Sequence, residues 1–115
     1  MTVTVAPDDT TLATVYAAAT AASADRGAAE DATVRAFASR DRDAQRLSAT
    51  AIRLALRAAP APAFAAMRLG DAEAVALCRL LRLDVGGVAS LLGIAAPEVR
   101  RRLTRGLADM LPERV

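Results

Sequence analysis

Four arginines crowd one short stretch near the C-terminal end of this chain of 115 residues: Arg100, Arg101, Arg102 and Arg105. A guanidinium is permanently charged, and its planar fork suits bidentate contact with a phosphate or a guanine edge. All 15 basic residues are arginine, a pattern that GC-rich coding bias also produces. The formal net charge is only +2, but it is unevenly placed. Residues 1–59 balance, whereas residues 60–115 carry the whole surplus. The remaining chemistry is sparse. There is no histidine and a single cysteine, Cys78, so no internal disulfide, zinc-ligand spacing or His-based catalytic arrangement is available. We expect no enzyme, no metal and no cofactor, and we expect Cys78 to be a buried helix residue.

The arginines need an element to carry them. Alanine makes up about a quarter of the chain, aromatic residues are only 3%, and β-branched runs are few, which together predict an all-α fold. In the last helix, expected over residues 96–110, Val99, Leu103, Leu107 and Met110 share the side that must be buried. Opposite them lie Pro97, Arg101, Thr104 and Arg105, with Glu98 at the edge and Arg100 and Arg102 beside the core face. Arg101 and Arg105 are one turn apart on the outermost face, the best placed to contact bases or phosphates in a major groove. Arg100 and Arg102 are better placed for phosphates or carboxylates.

The stretch leading into that helix reads as the first half of a helix-turn-helix. Asp84 caps a short helix over residues 85–92 that tolerates Gly86 and Gly87. Ala89 is small enough for close helix approach, Gly93 suits the left-handed turn, and Val99 packs the second helix back on the first. Upstream, Asp71 is the expected N-cap of a helix running to about residue 83, with Val75 and Leu80 facing inward.

The first 59 residues predict three helices. After a frayed lead ending at Pro7, Asp8 or Asp9 caps the first, which runs to about Ala24 with a stripe of Leu12, Val15, Tyr16 and Ala19. The second, over residues 28–39, is expected to bury Phe37, Val34 and Thr33. Asp41 can cap the third, over residues 42–58, which is apolar on two sides: Leu47, Ala51, Leu54 and Ala58 on one, Ile52 and Leu56 on the other. Such a helix is either central to the fold or half of an oligomer interface, and Ile52 and Leu56 are the candidate interaction face. Its arginines, Arg42, Arg46, Arg53 and Arg57, share the remaining stripe. The prolines at 60 and 62 mark a linker, giving parts over 1–59 and 60–115 that either pack together or stand apart. The N-terminus lacks the basic and apolar blocks of a signal peptide, and no apolar run is long enough for a membrane span, so we expect a cytoplasmic protein.

Residues 69–111 resemble the C-terminal promoter-binding domain, region four, of bacterial sigma factors of the extracytoplasmic-function type. DAEAVALCRLL stands for that domain's first helix, DVGGVASLLGIA for the next, and PEVRRRLTRGL for its recognition helix, without gaps. Residues 15–37 resemble region two of the same family: Tyr16, Ala19, Asp25, Arg26, Ala29, Glu30, Asp31 and Phe37 fall in register, and the halves occur in the family's order. The resemblance implies a helical bundle with a C-terminal helix-turn-helix and a role in transcription regulation. Its partners would be duplex promoter DNA, core RNA polymerase, or another sigma or anti-sigma factor. The chain departs from the pattern at defined places. Val34 stands at the polymerase-contacting glutamine and Arg35 at an acid. Residues 38–59 hold no aromatic residue on which melted bases would stack. Ala95 replaces the helix-capping serine, and Gly86 and Gly87 replace two glutamates. A second reading therefore stands beside the first: a protein-interaction module that binds a sigma or anti-sigma factor, or a second copy of itself, without DNA.

Overall fold

Alanine spacing decides how the first three helices meet. The computed structural model describes residues 9–111, and within them every regular element is a helix. Helix α1 (Asp9–Ala22) buries Val15, Ala18, Ala19 and Ala22, and α2 (Arg26–Ala38) buries Ala29, Ala32, Thr33 and Ala36. Both sets repeat at three- and four-residue steps, so each helix offers one narrow, nearly flat stripe. Small side chains bring the axes close, and backbone and Cβ contacts replace the area that larger residues would bury. Helix α3 (Ala44–Ala58) supplies the bulk, burying Leu47, Ile52 and Leu56 among three alanines and Ser48.

The position of α3 settles its two apolar sides. It packs against α1 and α2 and also against α5 (Leu69–Leu80), so apolar residues are needed all round. Ile52 and Leu56, expected as an interaction face, are core residues at 0% and 3% exposure. The alternative of a central helix holds. Other expectations in this part shift by a turn or less. Asp43, not Asp41, caps α3 by accepting from the Arg46 N–H, while Asp41 accepts from the Asp43 N–H. Asp25 caps α2, which therefore starts at Arg26 and not near Ala28. Val34 points outward at 68% exposure and Leu12 is also exposed, because α1 and α2 meet through their alanines. The expected lead and cap at Pro7 and Asp8 lie outside the described residues.

The proline-bounded segment after α3 is pinned to the α1–α2 corner. The Ala24 N–H donates to the Ala59 carbonyl, the Ala61 N–H to the Ala22 carbonyl, and the Ser23 hydroxyl to the Ala59 carbonyl, at 2.8, 2.8 and 3.0 Å. Pro60 forms an isolated bridge with Ser23, a geometry in which its missing N–H costs nothing. A short helix, α4 (Pro62–Ala65), drops Phe64 into the core, and Met67 follows it. Helix α5 then runs through the middle of the C-terminal part. Seven consecutive residues from Asp71 to Leu77 are buried, and buried Glu73 pairs with Arg53 of α3. Arg82, after the end of α5, holds a left-handed backbone at φ 55°. No helix among the described residues is long and apolar enough to cross a membrane.

Candidate nucleic-acid interface

The last two helices form from local signals that were largely readable. Asp84 accepts from the Gly87 N–H at 2.7 Å and starts α6 (Val85–Leu92). Gly93 ends it at φ 67°, and the N–H groups of Gly93 and Ile94 both donate to the Ala89 carbonyl, at 2.9 and 3.1 Å. That left-handed turn redirects the chain into α7 (Ala96–Met110). Ala95 provides no side-chain cap, and Pro97 in the first turn needs no N–H partner. Val88 and Val99 are fully buried and tie the pair to the core.

The buried side of α7 is rotated from the expected one. Val99 and Gly106 are its buried residues, with Leu103 and Met110 partly buried, whereas Leu107 is 45% exposed. Gly106 explains the rotation. A Cβ placed there would sit 2.6 Å from Val75 Cγ2 and 3.5 Å from the Asp71 carbonyl oxygen, so α7 touches α5 backbone to side chain at this point. An isolated glycine inside a helical pattern is the sequence signal for such an approach.

The rotation fixes where each expected site residue lies. Pro97, Arg100, Arg101 and Thr104 are exposed, Glu98 is partly buried, and Arg105 is half exposed. Arg100, Arg101, Thr104 and Arg105 line one shallow concavity of about 360 Å³ on the outer surface. Arg100 makes no ion pair among the described residues, and the Thr104 hydroxyl donates back to the Arg100 carbonyl at 2.8 Å. Arg102 leaves the set. Its side chain is 27% exposed and lies against Gly70 at the start of α5.

Two carboxylates hold the other guanidiniums. Glu98 pairs with Arg101 at 2.8 Å and with Arg102 at 3.2 Å. Hydrogen bonds from Arg101 first, and then Arg102, hold the Glu98 carboxyl below its ordinary range. The second carboxylate is Asp71, and here the sequence reading needs correction. Helix α5 begins at Leu69, with Arg68 at the N-cap position, so Asp71 lies inside the first turn and caps nothing. It is instead buried, its side chain only 4% exposed, and accepts from Arg105 Nη2 at 3.1 Å and Nε at 3.4 Å. That bond raises the Arg105 pKa above its ordinary value. No local signal in the sequence pairs Asp71 with a residue on α7.

The arrangement presents a cationic outer face with rigid backing and no nucleophile–base pair in it. Comparison of the chain with protein-family models, with curated proteins and with solved structures gives no match.

Proposed function

We propose that the chain is a cytoplasmic, non-catalytic transcription regulator of sigma-factor type, in which α6 and α7 act as a helix-turn-helix on duplex promoter DNA. The observation that carries this reading is the outer face of α7. Arg100, Arg101, Thr104 and Arg105 share one concavity, while Val99 and Gly106 anchor the opposite side in the core. Guanidiniums one turn apart on an outward helix suit the phosphates flanking a major groove. The left-handed Gly93 and the gap-free resemblance of residues 69–111 to region four support the same assignment. Core RNA polymerase is the accompanying partner that the resemblance implies.

The test is duplex binding across a salt series. Changing Arg100 and Arg101 together to Ala should weaken binding by about tenfold or more and flatten the log–log salt slope by about 1 per lost phosphate contact. Absence of any complex at low salt sinks the DNA role.

A protein-interaction module remains the second reading, on different residues. Ile52 and Leu56 no longer motivate it, since both are internal. What favours it is the groove between α1 and α2, about 540 Å³, lined by Leu12, Tyr16 and Val34. Copurification with a sigma or anti-sigma factor, or self-association in sedimentation, that is lost on Val34→Lys would select this reading over DNA binding.

A further inference from the structure

Arg101 and Arg105 sit one turn apart on the same helix, yet the carboxylates that hydrogen-bond them differ in kind, Glu98 reaching Arg105 only as a looser ion pair at 3.9 Å. Glu98 belongs to α7 itself, three residues before Arg101, and its side chain is 30% exposed. Water and salt compete freely for that pair. Asp71 belongs to α5 and is buried, so its charge has little water to fall back on and depends on Arg105. Gly106, the next residue after Arg105, brings α7 down onto the Asp71 backbone and so puts the guanidinium within reach. Nε and Nη2 of Arg105 are turned inward to Asp71 Oδ1. A guanidinium has five N–H donors; Nε and Nη2 face Asp71, Nη2 also lies 3.9 Å from Glu98 Oε1, and the side chain as a whole is half exposed beside Arg100, Arg101 and Thr104.

We propose that Asp71 is a positioning residue for duplex recognition: from the buried side it fixes the Arg105 guanidinium so that the outward N–H groups meet a DNA phosphate in the concavity of α7. This rests on the duplex-binding reading above and adds a residue that does not itself touch DNA. An arginine already held in one rotamer loses less freedom on binding than a free one. Arg105 is thereby a fixed point of register, whereas Arg100 and Arg101 supply adaptable charge.

The sign of one substitution separates positioning from simple charge. Asp71→Asn removes a negative charge close to the DNA, which on electrostatics alone strengthens binding. Positioning requires the opposite, because the freed Arg105 loses its fixed fork. We expect the full-length Asp71→Asn protein to bind a fluorescently labelled mixed-sequence duplex about fivefold to tenfold more weakly at low salt, with Arg105→Ala at least as weak. The double variant should be no weaker than Arg105→Ala alone. Arg105→Lys keeps the charge but not the fork, and should fall with Asp71→Asn. It changes a half-exposed side chain, so it tests the idea even if the buried Asp71 position tolerates no change, with circular dichroism reporting the folded fraction of each protein. Equal or tighter binding by folded Asp71→Asn, additive losses in the double variant, or wild-type affinity in Arg105→Lys would each overturn the positioning role while leaving DNA binding intact. If the wild-type chain fails to bind the duplex at all, the duplex reading and the positioning role fall together.

Discussion

The N-terminal bundle and the C-terminal helices use small residues to opposite ends. In α1, α2 and α3, alanines line the shared interior, and the helices cover one another around Ile52, Leu47 and Leu56. In the C-terminal part only α5 is buried along most of its length. Helix α6 buries Val88 alone, and α7 buries only Val99 and Gly106. The small residue of α7 brings one contact line very close to α5 and leaves the rest of the helix in solvent. Arginines then occupy the exposed remainder, backed by two carboxylates. Apolar burial is therefore concentrated in α3 and α5, which carry α6 and α7 with their outer surfaces in solvent.

The largest expected effect sets a core position of the bundle against an apolar residue of α7. Ile52→Ala should cost about 3 kcal/mol, since it removes three buried carbons from a fully packed helix. Leu107→Ala, at a position 45% exposed, should cost under about 0.5 kcal/mol. Chemical denaturation of the two variants reads the difference directly. Equal losses would mean that α7 contributes to the core as much as α3 does.

How much of this was legible follows from the range of each signal. The all-helical class follows from composition, the capping aspartate at 84 and the left-handed Gly93 depend on residues within a turn of one another, and those expectations hold. The two apolar sides of α3 were legible as a pattern. Periodicity, however, does not say whether a second apolar side meets another helix of the same chain or another molecule, so Ile52 and Leu56 read as an interaction face although they are core. Asp71 is ambiguous in the sequence because an acid in the first turn and an acid at the N-cap both favour a helix start. What distinguishes them is Arg105, 34 residues later, which only the packing of α7 on α5 brings near. Leu107 departs from its expected buried side for a related reason. Hydrophobic spacing weighs leucine and gives glycine no weight, yet Gly106 sets the contact line. The arginines of the candidate site were thus readable as residues, but not the carboxylates that sort them into fixed and free.

Gly86 and Gly106 are both helical but differ in what surrounds them. Both stand where alanine is the better helix former by roughly 1 kcal/mol. At Gly86 of α6 a Cβ meets nothing closer than the Asp84 carboxylate at 3.6 Å, so Gly86→Ala should stabilise by about 0.5–1 kcal/mol. At Gly106 the same Cβ would lie 2.6 Å from Val75 Cγ2 and 3.3 Å from Met67 Sδ. Gly106→Ala should therefore destabilise by about 1–3 kcal/mol, overpacking outweighing propensity. Melting temperatures moving in opposite directions would establish that α7 is held by closeness at one point. A stabilising Gly106→Ala would show that α7 can lift from α5 at no cost.

The smallest expected effect concerns acid. Glu98 is held below its ordinary value of 4.5 by the hydrogen bonds from Arg101 and Arg102, so folding favours its ionised form. A carboxyl shifted in this direction contributes stability that is complete above its unfolded pKa and is lost as pH falls through the lower folded value. The stability gap between wild type and Glu98→Gln should accordingly be small but present at neutral pH, and should close as the pH drops below 4.5. Because the pair is open to solvent, added salt should shrink the same gap. A gap that persists in acid would place the origin of the Glu98 effect in packing and not in charge. Protonation of Glu98 also releases Arg101 from its internal partner. On the duplex-binding reading, wild-type affinity should then rise toward that of Glu98→Gln in the same pH window, while the variant stays flat through it.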